Sequence, residues 1–295
     1  MTDALRQTFQ KQGFVGPINV LSREEAAETL HAFNQWAAST VPNGLVAGDL
    51  RFKPHLHLDF INAIVRHPAL VQLVKTLLRT EDVLLWSSDF NIKPPESPLY
   101  VPPHQDATYA GLHPSDRVLT VWIALSDPVG IGEGCLSFSP GSHLLGQLPH
   151  VEHHHQDDDG FNLLSRNQRI LAAAYDGESI PIPLRGGQAT AHHFYGVHSS
   201  GPNQSKRPRI GLACRYMAAS VTQAGPVKES VTWISGNVQH DGFELEPILP
   251  DDPTKEELER GREAHAEAMR REAANYFQSA EDTSGYDERL VSSTR

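Results

Sequence analysis

The stretch Val101 to Asp106, V-P-P-H-Q-D, sets an imidazole and a carboxylate two residues apart, at His104 and Asp106. On extended backbone, residues i and i+2 project to the same side, so these two side chains converge on one point. Such a pair is two thirds of a metal site. A centre of the two-histidine, one-carboxylate kind draws its last imidazole from another strand and leaves three coordination positions open, which suits non-haem iron(II). The downstream stretch A-H-H-F-Y-G-V-H-S-S-G-P-N-Q-S-K-R-P-R offers His192, His193 and His198. His198 is the chosen ligand, because it alone begins the segment that ends in Arg209; His192 and His193 compete for the same role. Arg209, eleven residues beyond His198, is a cation suited to the carboxylate of a metal-bound organic acid. Its planar fork makes two parallel hydrogen bonds and keeps its charge.

Four runs occur in order: H-Q-D, then T-V-W-I-A-L-S-D, then G-C-L-S-F-S-P-G-S-H, then H-S-S-G-P-N-Q-S-K-R-P-R. Together they resemble the phytanoyl-CoA dioxygenase family of iron(II)- and 2-oxoglutarate-dependent oxygenases, over about residues 5 to 245. The resemblance implies a mainly β fold, a double-stranded β-helix (jelly roll, cupin-like) with flanking α-helices. It implies Fe(II) held by His104, Asp106 and His198, with 2-oxoglutarate and O2 as co-substrates. It also implies hydroxylation of an unactivated C–H bond with release of succinate and CO2. Halogenating relatives replace the carboxylate ligand with a small residue, so Asp106 favours hydroxylation. The alternative is a barrel of the same ancestry that binds a metal or ligand without turnover.

The resemblance adds two co-substrate contacts. Lys93 lies where the family often places a polar or basic group, although a surface lysine at a strand end has the same sequence appearance. Thr120 resembles the family's hydroxyl donor, and β-propensity alone also accounts for a threonine in a strand.

The elements that must position these groups follow from period and punctuation. Thr2 to Gln12 reads as an amphipathic helix closed by Gly13. Ser22 opens a capping box with Glu25 and a helix to about Ala38. Pro68 starts a helix with Leu70, Leu73, Val74, Leu77 and Leu78 on one face. Val83 to Lys93 reads as a strand in which Asp89, Asn91 and Lys93 face inward and Phe90 and Ile92 face outward onto helices. In the strand from Val118 to Ser126, Thr120, Trp122 and Ala124 share a face. On the strand after Arg209, parity groups Gly211, Ala213 and Arg215 with it. Arg215 is either a second inward cation facing substrate or a strand-end residue in water.

Asn91, Trp122, Asn162, Arg166 and Arg215 are candidate substrate contacts, and they point to a small polar molecule such as an organophosphonate, an amino-acid-like compound or a secondary metabolite. Asn162 and Arg166 belong to a long insertion of the kind that forms active-site lids; a salt bridge to the acidic tract beside it also accounts for Arg166. The run H-V-E-H-H-H-Q-D-D-D from His150 to Asp159 reads as a solvated loop that could take up zinc or nickel adventitiously. His143 and His150 read as loop residues around the site.

At 295 residues with a formal charge of −11, the chain has room for one large domain, and its charge excludes a nucleic-acid surface or bulk attraction to anionic membranes. Residues 1–250 read as the oxygenase domain, 251–277 as a charged helix and 278–295 as a disordered tail. Two cysteines, Cys135 and Cys214, lie in apolar runs and give no disulfide framework. The N-terminus shows no signal peptide, and no stretch approaches the ~18 apolar residues of a membrane span. A reducing cytoplasm, a small-molecule substrate and a monomer or homodimer are the matching expectations.

Overall fold

The computed structural model describes residues 2–40, 48–151, 160–164, 168–171, 174–237, 241–250 and 252–283. Helix α1 (Thr2–Gln12) ends where the Gly13 N–H donates to the Phe9 carbonyl at 2.8 Å. Strand β1 (Phe14–Asn19) follows, and then the expected capping box. The Ser22 N–H donates to Glu25 Oε2 at 2.7 Å and the Glu25 N–H to Ser22 Oγ at 3.1 Å. That reciprocal pair opens α2 (Arg23–Thr40). Two turns of 3-10 helix, Gly48–Arg51 and Pro54–Leu56, lead to the short α3 (Asp59–Val65). Helix α4 (Pro68–Leu78) begins at its proline and buries the anticipated leucines and Val74, each worth about 1.5–3 kcal/mol.

The remainder is mostly strand. In chain order it comprises β2 (Val83–Lys93), β3 (Val101–His104), β4 (Leu112–His113), β5 (Val118–Ala124), β6 (Leu136–Phe138), β7 (His150–Val151) and β8 (Arg169–Ile170). Then come β9 (Ile180–Pro181), β10 (Gln188–His193), β11 (His198–Ser200), β12 (Arg209–Ala218), β13 (Thr222–Gln223), β14 (Ser230–Ser235) and β15 (Glu244–Leu245). Helix α5 (Lys255–Thr283) closes the described chain, running six residues past the expected end at 277. Residues 284–295 lie outside the described residues.

Seven strands form one sheet in the order β1-β10-β5-β12-β2-β14-β15, and four form a second in the order β3-β11-β6-β9. This is the two-sheet architecture of a double-stranded β-helix. Every pairing is antiparallel except that of β14 with β15.

The large sheet is buried on both faces, and strand parity decides what each face does. Leu85, Phe90, Val121, Ile123 and Leu212 join Phe33, Leu70 and Val74 from the helices in one apolar core, with Ile92 packed against it. Trp122, Ala124 and Ala213 turn the other way and pack with Cys135, Leu136 and Phe138 of the small sheet. The site lies on this second face, between the sheets. Gly211 is required there, because a Cβ at that position would stand 1.9 Å from Cζ2 of Trp122.

Candidate metal centre and co-substrate pocket

Three elements deliver the metal-binding groups. His104 is the last residue of β3, Asp106 begins the turn after it, and His198 opens β11, where it pairs directly with His104 across the small sheet. Each histidine points its Nδ1 at the carbonyl two residues before it, His104 at Pro102 and His198 at Gly196, both at 3.0 Å. A carbonyl only accepts, so Nδ1 carries the proton in each ring and Nε2 keeps its lone pair for a cation. The two Nε2 atoms stand 3.7 Å and 3.9 Å from Asp106 Oδ1. All three side chains are buried, and their ligating atoms lie within 4.8 Å of one another.

The other carboxylate oxygen is held from behind. Thr120 donates its hydroxyl to Asp106 Oδ2 at 2.5 Å, Arg215 Nε stands 3.6 Å away and His192 Nε2 3.5 Å away. Burial works against the charge of Asp106, but Arg215 and the surrounding imidazoles hold its carboxyl well below the usual carboxylate range. One oxygen is therefore braced by protein donors while the other faces the two histidines. Two neutral imidazoles and an ionised carboxylate fit a divalent first-row ion with positions to spare.

The second half of the site lies at the far end of β11. Arg209 and Lys93 are direct partners across the β12–β2 pair, and they are 2% and 0% exposed. Lys93 Nζ donates to Ser200 Oγ at 2.6 Å, to the Ser200 carbonyl at 3.1 Å and to the Gly201 carbonyl. Arg209 donates through Nη2 to Ser200 Oγ at 2.8 Å and through Nη1 to the Asn91 carbonyl at 3.2 Å, and its guanidinium carbon stands 5.2 Å from the centre of the Trp122 ring. Among the described residues its Nε has no hydrogen-bond partner. Among the described residues no carboxylate pairs with either cation. Burial pushes Arg209 down to about 10; burial and then the Arg209 charge push Lys93 down to about 6. An unpaired Nε on a buried guanidinium that no described carboxylate compensates fits the carboxylate of an organic acid.

The remaining sequence candidates divide cleanly. Thr120 points into the site, but its hydroxyl is committed to Asp106 rather than to a co-substrate. Arg215 faces inward, as parity allowed, and is taken up by Asp89, by Ser87 Oγ at 3.2 Å and by Asp106. Asn91 Oδ1 accepts from Trp122 Nε1 at 2.9 Å, which satisfies the indole and fixes the Asn91 amide. Asn162 Oδ1 accepts the Leu164 N–H at 2.9 Å, in a segment bridged to Tyr100. Arg166 and residues 152–159 of the histidine- and aspartate-rich run lie outside the described residues. His143 bonds to the Gln10 carbonyl at 3.0 Å, and His150 to the Leu148 carbonyl and the Gln105 N–H; neither belongs to the cage.

Sequence reasoning missed Ser200, although it follows His198 by two residues and must share its face. It also set His192 aside once His198 was chosen, whereas the structure brings this buried ring to 4.3 Å from that of His198.

With that geometry in place, the comparisons with known proteins fall into line. The phytanoyl-CoA dioxygenase family model matches residues 9–211, which takes in all three metal-binding side chains and Arg209. The chain belongs to the phytanoyl-CoA dioxygenase family. It is 31% identical over 173 residues to the phytanoyl-CoA dioxygenase domain-containing protein 1 of Mus musculus, covering 58% of this chain and 57% of that one. It is 34% identical over 168 residues to a probable alpha-ketoglutarate-dependent hypophosphite dioxygenase of Stutzerimonas stutzeri, covering 56% of each. The alignments thus span a little over half the length of these relatives.

Among solved structures, the non-heme monooxygenase ThoJ in its apo form superposes with a TM-score of 0.79 at 28% identity, over 94% of this chain and 99% of that one. CytC3 with Fe(II) and alpha-ketoglutarate shares the fold, with a TM-score of 0.61 at 18% identity. Iron(II), 2-oxoglutarate and O2 are the working set of this oxygenase family, whose members act on small molecules. No described helix is long and apolar enough to cross a membrane.

Proposed function

We propose that this protein is an iron(II)- and 2-oxoglutarate-dependent dioxygenase that hydroxylates an unactivated C–H bond of a small molecule. The observation that carries the reading is a buried His104–Asp106–His198 cage on one strand pair, with a buried Arg209 reaching the same β11 strand from the facing sheet through Ser200 and paired with no described carboxylate. Ser200, which Arg209 grips, lies two residues from His198. Two residues of strand are roughly 7 Å, a span that a five-carbon diacid covers. His104, Asp106 and His198 would hold the metal, and Arg209 would take the remote carboxylate of 2-oxoglutarate.

Iron(II) in this cage supplies the coupling of oxidative decarboxylation, which turns 2-oxoglutarate and O2 into succinate and CO2, to insertion of the second oxygen atom into a substrate C–H bond. The protein's own residues do the positioning. Thr120 and Arg215 fix the Asp106 carboxylate so that one oxygen faces the metal position. Pro102 and Gly196 fix the tautomers of the two histidines. Lys93 spends its three donors on the Ser200–Gly201 segment, which sets the hydroxyl that Arg209 leans on. Apolar packing by Trp122, Phe138 and Cys135 excludes water from the floor of the pocket.

The small polar substrate that the sequence suggested needs contacts other than the ones first assigned to it. That expectation leaned on Asn91, Asn162, Arg166 and Arg215, of which the three described side chains are engaged within the protein. A cavity of about 500 Å³ borders His198, and none of those three side chains lines it. Its walls include Val151, Ile170, Leu171 and Val197, with Arg169 and Tyr175 among them. Of the metal-binding residues and Arg209, only His198 borders it, and Ser139, Ser179 and Ser199 also line it, so this cavity assigns no substrate polarity. The likeness to a probable alpha-ketoglutarate-dependent hypophosphite dioxygenase supports a small polar substrate such as an organophosphonate.

The test is succinate formation by anaerobically reconstituted iron(II) protein given 2-oxoglutarate and air, for wild type, Asp106→Ala and Arg209→Ala. Slow turnover in the wild type, absent from both variants, supports the oxygenase. No succinate from iron-loaded wild type, with or without a panel of apolar and polar small molecules, moves the reading to a barrel that binds without turnover.

A further inference from the structure

A fourth imidazole reaches the metal cage. His192 lies on β10 directly opposite Thr120 of β5, so its side chain shares the inner face of the large sheet with the hydroxyl that braces Asp106. It is 1% exposed. Its ring centre stands 4.3 Å from that of His198 and 5.1 Å from that of Phe138. Its Nε2 is 3.5 Å from Asp106 Oδ2, at the outer limit of an N–H···O bond, and that oxygen already accepts the Thr120 hydroxyl at 2.5 Å.

Among the described residues neither ring nitrogen of His192 makes a well-formed hydrogen bond, the 3.5 Å contact to Asp106 Oδ2 being its one polar approach. A neutral imidazole offers one N–H donor and one lone pair, and a buried polar group left unpaired lowers stability. Phenylalanine has a similar shape and would meet the Phe138 and His198 rings without that cost. The polarity at position 192 is therefore unexplained by packing. It is also surplus to the bracing of Asp106, which Thr120 and Arg215 already supply. Nor does His192 complete the cage as a ligand, since the set whose ligating atoms lie within 4.8 Å of one another is His104, Asp106 and His198.

We propose that His192 hydrogen-bonds an oxygen of the co-substrate at the end that chelates the metal, as the counterpart of Arg209 at the other end. The inference rests on the oxygenase reading and adds a specific contact to it. An oxygen anion bound beside Asp106 meets an N–H donor there whose one polar neighbour among the described residues is Asp106 Oδ2, 3.5 Å away. Two anchors then fix both ends of a dicarboxylate, which selects an organic acid of one length and one orientation. His192 is in this sense a binding residue for the co-substrate, distinct from Thr120 and Arg215, which act through Asp106.

The experiment is an anaerobic titration of 2-oxoglutarate into the Fe(II)-loaded protein, followed by the visible charge-transfer absorption of the chelated complex, for wild type, His192→Phe and His192→Gln. Iron stoichiometry and melting temperature are measured on the same samples. The expected result is a Kd for 2-oxoglutarate raised at least tenfold and a displaced absorption maximum in H192F, with one iron still bound, and substantial recovery of both in H192Q, which restores a donor. If phenylalanine prevents folding, His192→Leu takes its place against the same thresholds.

A variant that binds 2-oxoglutarate within twofold of wild type, with an unmoved band, overturns the proposal and leaves the oxygenase reading standing. So does a variant that folds but loses its iron, because His192 would then be acting on Asp106. A wild type that shows no such band on adding 2-oxoglutarate overturns the oxygenase reading itself.

Discussion

The protein buries two carboxylates beside a cation and imidazoles, and they are finished very differently. Glu246, just after β15, accepts from Lys53 Nζ at 2.6 Å, from Ser230 Oγ at 2.7 Å and from the Thr232 hydroxyl, with His55 Nε2 3.5 Å away. His55 in turn uses both nitrogens, on Ser88 Oγ at 2.6 Å and Thr232 Oγ1 at 2.9 Å. Every member of that cluster has a protein partner. Around Asp106 the pattern stops halfway: one oxygen is braced, while among the described residues His192 has only the 3.5 Å approach to Asp106, and at the other end of the pocket the Nε of Arg209 has no partner. A closed polar network ties elements together, here β2, β14, the 3-10 turns and the segment after β15. An open one at the same depth carries an energetic cost that only a bound ion or acid removes.

The sharpest way to break this comparison is to remove one carboxylate from each cluster. Asp106→Ala should reduce succinate formation to background, a loss on the order of 10³-fold or more, equivalent to about 4 kcal/mol of barrier, while the melting temperature changes little. Thermal melting alongside the succinate assay checks both halves.

Glu246→Gln should do the converse. Leaving Lys53 buried without its counter-charge costs about 3–5 kcal/mol of stability, read by denaturant unfolding, while iron stoichiometry and the KM for 2-oxoglutarate stay unchanged. The same group sets an acid limit. Burial works against the charge of Glu246, but the Lys53 ammonium and the adjacent His55 ring hold it below the usual carboxylate range. Its contribution is therefore complete above the unfolded value near 4.3 and is lost as pH falls toward the depressed folded value.

A finer separation comes from Arg209→Met, which keeps the stem and deletes the fork. The expected change is a rise of about 100-fold in the KM for 2-oxoglutarate, close to 2.7 kcal/mol, with iron still bound; steady-state kinetics at saturating O2 measure it.

The smallest effect concerns Lys93. Burial and Arg209 push it down to about 6, whereas the three oxygens around its Nζ favour the ammonium. A dicarboxylate arriving beside it raises its affinity for a proton. Binding of 2-oxoglutarate at pH 8 should therefore take up a fraction of a proton, and the uptake should vanish in Lys93→Met. Calorimetric titrations in buffers of different ionisation enthalpy measure it.

Much of this was legible from local pattern. The H-x-D spacing, the Ser22 capping box, the proline start of α4 and the inward parity of Asp89, Asn91 and Lys93 all depend on residues near one another in the chain, and the structure shows each as expected. The misplaced roles share a different cause. Thr120, Asn91 and Arg215 do face inward, but parity gives a direction and not a partner. Asp106, Trp122 and Asp89 reach them from other strands through a register that the sequence does not encode locally. His192 was hidden for the same reason, since its neighbours Thr120 and Asp106 lie far away in the chain. The Glu246 network was invisible, because Lys53 and His55 sit in a stretch with no period and pair with residues nearly two hundred positions away.

The central claim, that the open cluster is the binding site and the closed one is structural, is tested most directly by anaerobic equilibrium dialysis of Fe(II) against wild type, Glu246→Gln and Asp106→Ala. The account predicts one tightly held iron per chain in wild type and in E246Q, and none at that affinity in D106A. Iron retained by D106A as tightly as by wild type, or lost from folded E246Q, would contradict it.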